Sequence, residues 1–159
     1  RQEASDAQWI TVDQLYQQVQ NSAAHALRSR NIELVTTNED PRLALEGNMG
    51  ELVQILVNLI LNARDATPEG GRVELVAEDT LGRVIFRVID RGAGMTPEVS
   101  EQIFTPFYTT KAPGEGTGLG LALVSALTAS RNGHIRVESA VGKGTTFTLD
   151  FTKHFSQAT

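Results

Sequence analysis

No cysteine occurs in the 159 residues, so a disulfide framework and thiolate chemistry are both excluded. A basic excess is missing too. The formal net charge of -5 argues against non-specific binding to nucleic acid or to anionic membranes, while leaving room for a locally basic phosphate site. No apolar run approaches the ~18 residues of a membrane span, and Arg1-Gln-Glu-Ala-Ser5 has no signal-peptide character. The chain does not begin with Met, as expected of a piece cut from a longer protein whose sensor or anchor lies elsewhere. The histidines are His25, His134 and His154, and their spacing matches no metal site. No Ser/His/Asp or Cys/His constellation is supported, and internal repeats and low-complexity tracts are absent.

What remains is an ordinary globular composition, 40% hydrophobic and 21% charged, long enough for one domain with a sizeable core. Residues 1–10 read as a leader with Trp9-Ile10 as an apolar anchor, residues 11–155 as the domain and 156–159 as a tail. Thr11-Val-Asp-Gln14 resembles a capping box and predicts a helix to about Arg28. Ile32 to Thr36 reads as a strand, and Pro41 to Gly47 as a short turn-rich stretch. A strongly apolar helix is predicted from about Asn48 to Ala66, closed by the turn Thr67-Pro-Glu-Gly-Gly71. Strands are predicted at Arg72–Glu78 and Arg83–Asp90. Residues 91–116, holding Pro97, Pro106 and Pro113, read as a mostly irregular segment of the kind that serves as a lid. Leu119 to Ser130 reads as a second apolar helix, and His134–Ser139 with Thr145–Phe151 as a closing hairpin. Helices alternating with hairpin-linked strands predict an α/β two-layer sandwich, a mixed sheet covered on one face by helices.

Asn58 and Asn62 carry the most information. Four residues apart on a helix, their amides share one face, one turn from each other. Their neighbours Leu52, Val53, Ile55, Leu56, Val57, Leu59, Ile60 and Leu61 mark a packed helix, and an unpartnered buried amide costs roughly 1–3 kcal/mol. Glu51, Gln54, Asn58, Asn62 and Asp65 together form a polar stripe suited to a polar ligand, or equally to solvent and caps. Asp90 ends an apolar strand, where it is well placed to accept from a ligand amino group, and Gly92 and Gly94 permit a tight turn just beyond. The same pattern also suits a plain Asp-Arg-Gly turn. Gly114-Glu-Gly116-Thr-Gly118-Leu-Gly120 opens a helix, and a helix N-terminus with glycines suits phosphate. Neither the dinucleotide fingerprint nor the P-loop fits these glycines. Lys111 stands just before them, able to reach a terminal phosphate or simply solvent. Phe104, Phe107 and Tyr108 gather three of nine aromatics in the same segment, as pins for a lid or as core.

In this order the motifs resemble the ATP-binding catalytic domain of sensor histidine kinases, whose superfamily includes type II topoisomerases, Hsp90 and MutL and whose fold is the Bergerat sandwich with its long ATP lid. The resemblance covers about residues 11–151. Asn58-Leu-Ile-Leu-Asn62-Ala is similar to the asparagine box, Asp90-Arg-Gly92-Ala-Gly94 to the first glycine box and Ile103-Phe104-Thr-Pro-Phe107-Tyr to the phenylalanine box. Gly116-Thr-Gly118-Leu-Gly120-Leu is similar to the second glycine box, and Gly142-Lys-Gly144-Thr145-Thr-Phe147 to the closing glycine-threonine motif.

The resemblance implies ATP or ADP with Mg²⁺ as ligands. Asp90 would bind the adenine amino group, with Thr145 helping through water, and Gly92 and Gly94 would shape that turn. Asn62 would hold Mg²⁺ between the phosphates, and Asn58 would support the metal-phosphate site. Gly116, Thr117, Gly118, Leu119 and Gly120 would give backbone N–H groups to the phosphates, and Lys111 would meet the γ-phosphate, so Asn58 and Lys111 would carry the catalysis. Implied partners are a dimerising helical hairpin carrying the phosphoacceptor histidine and, through the parent protein, a response regulator; nucleic acid and direct membrane contact are not expected. The implied location is cytoplasmic, with any anchor in the rest of the parent. Superfamily members that hydrolyse ATP carry a Glu general base where Asn58 stands; a serine kinase and a nucleotide-binding module without transfer are the other readings. Three departures stand out: Arg91 replaces the Asn many members carry, Asp65 replaces a Lys that some carry, with Arg64 beside it, and no histidine here has the setting of the phosphoacceptor.

Overall fold

The predicted capping box is present. The Thr11 hydroxyl accepts from the Gln14 N–H at 3.1 Å, and the Gln14 amide oxygen accepts from the Thr11 N–H at 3.0 Å. In this computed structural model, which describes residues 7–111 and 118–154, the helix it opens is α1, Val12–Arg28. Val12, Leu15, Tyr16, Val19, Ala23 and Leu27 recur at helical spacing and are all buried. The second helix, α2, runs Met49–Ala66; the Asn48 side chain caps it by accepting from the Glu51 N–H at 2.9 Å. Leu52, Ile55, Leu56, Leu59, Ile60 and Ala63 form its buried face. Each large apolar side chain buried there stabilises by roughly 1.5–3 kcal/mol. A short helix, α3 (Pro97–Gln102), and a final one, α4 (Gly120–Ser130), complete the helical set among the described residues.

Five strands form the main sheet: β2 (Glu33–Asn38), β4 (Arg72–Thr80), β5 (Arg83–Asp90), β6 (His134–Ala140) and β7 (Gly144–Thr152), in the order β2-β4-β5-β7-β6. Only β2 and β4 run parallel; the other neighbours are antiparallel. The sheet is therefore mixed, and the helices cover one of its faces, as the sequence predicts. α1 lies on α2 and β2, and α2 on β4, β5, β7 and α4. Strand alternation decides what faces the helices: Val73, Leu75 and Ala77 of β4, Val84, Phe86 and Val88 of β5, Phe147, Leu149 and Phe151 of β7.

Three local readings need correction. Gln8–Thr11 is a strand, β1, paired antiparallel with β3 (Ala44–Gly47) in a separate two-stranded ribbon. The leader and the turn-rich stretch are thus partners, and the domain reaches back to at least Gln8. Ile10 and Leu45 are each 1% exposed, so the ribbon closes one edge of the core. Two four-residue strands far apart in sequence leave no local periodicity to read. The segment after β5 is also less irregular than expected. α3 starts with Thr96, whose hydroxyl accepts from the Val99 N–H at 3.3 Å, followed by Pro97. A cap residue followed by Pro and then Glu98 is a helix signal in its own right.

Candidate functional site

The period-2 alternation of β5 sends Asp90 to the same face as Val84, Phe86 and Val88, but at the strand end, where the helical layer stops. Its carboxyl group therefore points into an opening rather than into the core. That opening is a cavity of about 540 Å³, between α2 on one side and the segment running through α3 to Lys111 on the other. Asp90 is 3% exposed. Burial raises its pKa above the ordinary carboxylate value, and backbone N–H groups of Gly92 and Thr145 pull the other way. The Gly92 N–H donates to Asp90 Oδ1 at 2.9 Å.

Thr145 is the residue paired with Asp90 across β5 and β7, so both side chains emerge on the cavity side. Its hydroxyl lies 2.8 Å from Ser139 Oγ, which donates to the Gly144 carbonyl at 3.1 Å and accepts from the Met95 N–H at 2.8 Å. With the Ser139 proton committed to that carbonyl, Thr145 donates to Ser139 and keeps lone pairs for the cavity. Ser139 did not stand out in the sequence. Only the β6–β7 register, which sets Ser139 opposite Thr145, reveals its role.

The glycines after Asp90 act by close approach. A Cβ on Gly92 would lie 2.0 Å from the Ala66 carbonyl oxygen, and one on Gly94 1.9 Å from that of Ala140. Ala93 N–H donates to Ala66 O at 3.2 Å and accepts, through its carbonyl, from Gly142 N–H at 2.7 Å. The turn is wedged between the end of α2 and the β6–β7 hairpin. Gly94 lines the cavity and Gly92 does not; Gly92 acts through the Asp90 carboxylate it orients.

At the other end, α2 contributes Asn58, Asn62 and Asp65 to the cavity wall. The predicted five-residue stripe is shorter in practice. Glu51 is drawn away to Arg131, whose Nε donates to its carboxylate at 2.9 Å, and Gln54 is exposed outside the cavity. Asn58 Nδ2 donates back to the Gln54 carbonyl at 2.9 Å, which turns its amide oxygen toward Gly120; a Cβ there would sit 3.3 Å from that oxygen. α4 begins at Gly120 without a side-chain cap, so its first turn presents backbone N–H groups and a positive dipole end. Gly118 and Gly120 line the cavity, whereas Leu119 is 42% exposed and does not. Gly116 and Thr117 lie outside the described residues.

The lid approaches from the α3 side. Phe104 meets Phe147 edge-on at 6.2 Å, and Tyr108 packs against the core while lining the cavity. Phe107 does not pin the lid: it is 73% exposed, with a φ of 70°. Its N–H donates to the Gly118 carbonyl at 2.9 Å, and Gly118, at φ +75°, approaches so closely that a Cβ would lie 2.3 Å from Phe107 C. Lys111 Nζ contacts Asp65 Oδ2 at 2.5 Å, and the Arg64 guanidinium holds Oδ1 of the same carboxylate. Partial burial raises the Asp65 pKa, but hydrogen bonds from Lys111 and Arg64 outweigh it and hold the carboxyl below its ordinary value.

The donor set fits a purine nucleotide with a divalent cation. A deeply buried acceptor sits at one end, amide oxygens at the other, and glycines leave room for backbone approach. An amide oxygen suits Mg²⁺, which needs few protein ligands when phosphates supply the rest; among the described residues no cluster of three His, Asp or Glu could hold a metal alone. None of the three histidines lines the cavity; His154 stacks on Trp9 at 5.3 Å.

Residues 47–154 match the family of histidine kinase-, DNA gyrase B-, and HSP90-like ATPases. The sensor histidine kinase ZraS of Salmonella typhimurium strain LT2 is 39% identical over 130 residues, covering 81% of this chain and 28% of that protein. The chain spans 15% of the length of one curated relative, the sensor kinase CckA of Brucella abortus, and 28% of ZraS. Among solved structures, the catalytic domain of histidine kinase ThkA superposes with a TM-score of 0.83 at 29% identity, covering 94% of this chain and 97% of that one. Full-length ShkA in complex with AMPPNP superposes with a TM-score of 0.81 at 32% identity, covering 96% of this chain and 32% of that one.

Proposed function

The chain belongs to the family of histidine kinase-, DNA gyrase B-, and HSP90-like ATPases and has the fold of a histidine-kinase catalytic domain; from that premise we propose that it binds Mg-ATP and donates the γ-phosphoryl group to a histidine on a helical hairpin of its parent protein. The observation that carries this reading is Asp90, buried at the blind end of the cavity beside Thr145, with Asn58, Asn62 and the start of α4 facing the other end.

Each residue has a distinct task. Asp90 accepts from the exocyclic amino group of adenine and rejects guanine, which offers a carbonyl there. Thr145 contributes its remaining lone pairs, through water. Gly118 and Gly120 let phosphate oxygens approach the backbone at the start of α4. Asn62 holds Mg²⁺ and Asn58 supports it. Bound there, the cation neutralises charge on the phosphates. Lys111 meets the γ-phosphate. An imidazole nitrogen of the hairpin then attacks the γ-phosphorus as the bond to the β,γ-bridging oxygen breaks, and ADP leaves with that electron pair. A response regulator receives the phosphoryl group through the parent protein.

Hydrolysis is not favoured. Among the described residues, the carboxylates lining the cavity are Asp65 and Asp90. Asp65 is held by two cations and Asp90 lies at the adenine end. Asn58 cannot serve as a general base, because an amide does not accept a proton near neutral pH. Radiolabelled ATP tests the reading. The chain alone should remain unlabelled and hydrolyse ATP very slowly. Mixed at high concentration with the separately produced hairpin, to offset the lost tether, it should place acid-labile, base-stable label on the hairpin histidine. Label on His25, His134 or His154 of the isolated chain, or fast hydrolysis without the hairpin, would contradict it.

A further inference from the structure

Asp65 is the residue at the phosphate end that the reading above leaves without a task. It sits on α2 one turn beyond Asn62, on the same face. Its two oxygens are divided between two cations: Oδ1 takes Arg64 Nε at 2.9 Å and Nη2 at 2.5 Å, and Oδ2 takes Lys111 Nζ at 2.5 Å. The three side chains are between 22% and 37% exposed, so the cluster lies at the mouth of the cavity rather than in open solvent. Lys111 stands 46 residues away in sequence, so this contact joins the lid to α2. A carboxylate whose two oxygens hold two cations occupies the same charge-assisted donors that a phosphate oxygen would take.

We propose that Asp65 is an internal competitor for the terminal phosphate, holding Lys111 of the lid against α2 until a γ-phosphate displaces it. The inference rests on the nucleotide reading of the cavity. A nucleoside triphosphate that recruits Lys111 must first break the Asp65–Lys111 pair, and it places its own negative charge beside the carboxylate. A diphosphate lacks the group that reaches Lys111 and leaves the pair intact. Asp65 therefore weakens ATP binding and leaves ADP binding nearly untouched, so it sets the ratio of the two affinities. It is a positioning residue: it acts through Lys111.

The test compares calorimetric affinities of the whole chain for Mg-ATP, ADP and adenosine in the wild type, Asp65→Asn, Lys111→Ala and the double variant. Asp65→Asn is nearly isosteric and removes the charge. It should tighten Mg-ATP binding about two- to fivefold, in keeping with a part-exposed ion pair, and change ADP and adenosine by less than that. In the Lys111→Ala background the same substitution should lose most of its effect. Asp65→Glu should restore the wild-type ratio of ATP to ADP affinity. Without nucleotide, trypsin should cut after Lys111 faster in Asp65→Asn than in the wild type, while cuts elsewhere proceed equally. An unchanged ATP-to-ADP ratio in Asp65→Asn overturns the competition. Weaker Mg-ATP binding with a raised Mg²⁺ requirement overturns it too, by making Asp65 a metal ligand. A wild-type chain that binds adenosine and ADP normally while these results fail leaves the nucleotide reading standing; one that binds no adenine compound removes both.

Discussion

Two aspartates line the same cavity and are displaced in opposite directions from the same ordinary pKa. Asp90, 3% exposed, meets only backbone N–H groups among the described residues, so burial dominates and its pKa rises. Asp65, at the mouth, meets Lys111 and Arg64, which outweigh burial and lower it. The end at Asp90, which the proposed reading gives to adenine, is built from backbone: a strand terminus, a glycine turn wedged between α2 and the β6–β7 hairpin, and the Ser139 hydroxyl joining Met95, Gly144 and Thr145. The end at Asp65, which the same reading gives to the phosphates, is built from long side chains on a helix and a lid. A base needs a fixed, dry acceptor. A phosphate whose terminal group leaves needs donors that can move.

Substitutions should therefore damage the two ends differently. The largest effect is expected at Gly94. A Cβ there would lie 1.9 Å from the Ala140 carbonyl oxygen, at a φ of +73°. Gly94→Ala should lower unfolding stability by about 3 kcal/mol, from left-handed strain and forced displacement of backbone; denaturant titration measures it, and a loss below ~1 kcal/mol would mean that the turn gives way easily.

Next comes Asp90→Asn. Loss of a charged acceptor for the adenine amino group should weaken ATP binding on the order of ten- to a hundredfold. The fold should not suffer. Because the folded-state pKa of Asp90 lies above its unfolded value, ionisation costs stability as pH rises through that window. The variant should therefore be at least as stable as the wild type at pH 7, and the difference should vanish as pH falls below ~4, the ordinary aspartate range. Thermal unfolding at both pH values checks the sign; a variant less stable at neutral pH would show that the carboxylate supports the fold.

Ser139→Ala should cost about 1–2 kcal/mol, since the part-buried Met95 N–H loses its acceptor and Thr145 its partner. The smallest effect on the fold is expected from Lys111→Ala: within ~0.5 kcal/mol in stability, because the Lys111–Asp65 pair is part-exposed, but with weaker ATP binding and unchanged ADP binding. A stability loss comparable to that of Ser139→Ala would erase the contrast between the two ends.

The same contrast decides what could be read in the sequence. The place of Asp90 was legible because strand periodicity carries Val84, Phe86, Val88 and then Asp90 to one face. Asn58 and Asn62 were legible because helical spacing fixes their direction. Both belong to long periodic elements whose local pattern already contains the tertiary answer. The β1–β3 ribbon was not legible, because nothing within Gln8–Thr11 names Ala44–Gly47 as its partner. Glu51 matched the stripe by spacing but turned to Arg131, 80 residues away. Ser139 was missed, and Asp65 was seen in the stripe without its partner, for the same reason: each is defined by a contact across elements, to Thr145 of the neighbouring strand and to Lys111 of the lid.

The most direct test of the account is a pair of calorimetric titrations of the unmodified chain, with Mg-ATP and with Mg-GTP under identical conditions. On the proposed reading, the buried Asp90 carboxylate accepts from the adenine amino group and would face the guanine carbonyl with no donor between them. Mg-ATP should bind at least about tenfold more tightly than Mg-GTP, a difference of about 1.4 kcal/mol. Equal affinities for the two would contradict the assignment of Asp90, and with it the orientation of every group assigned along the cavity.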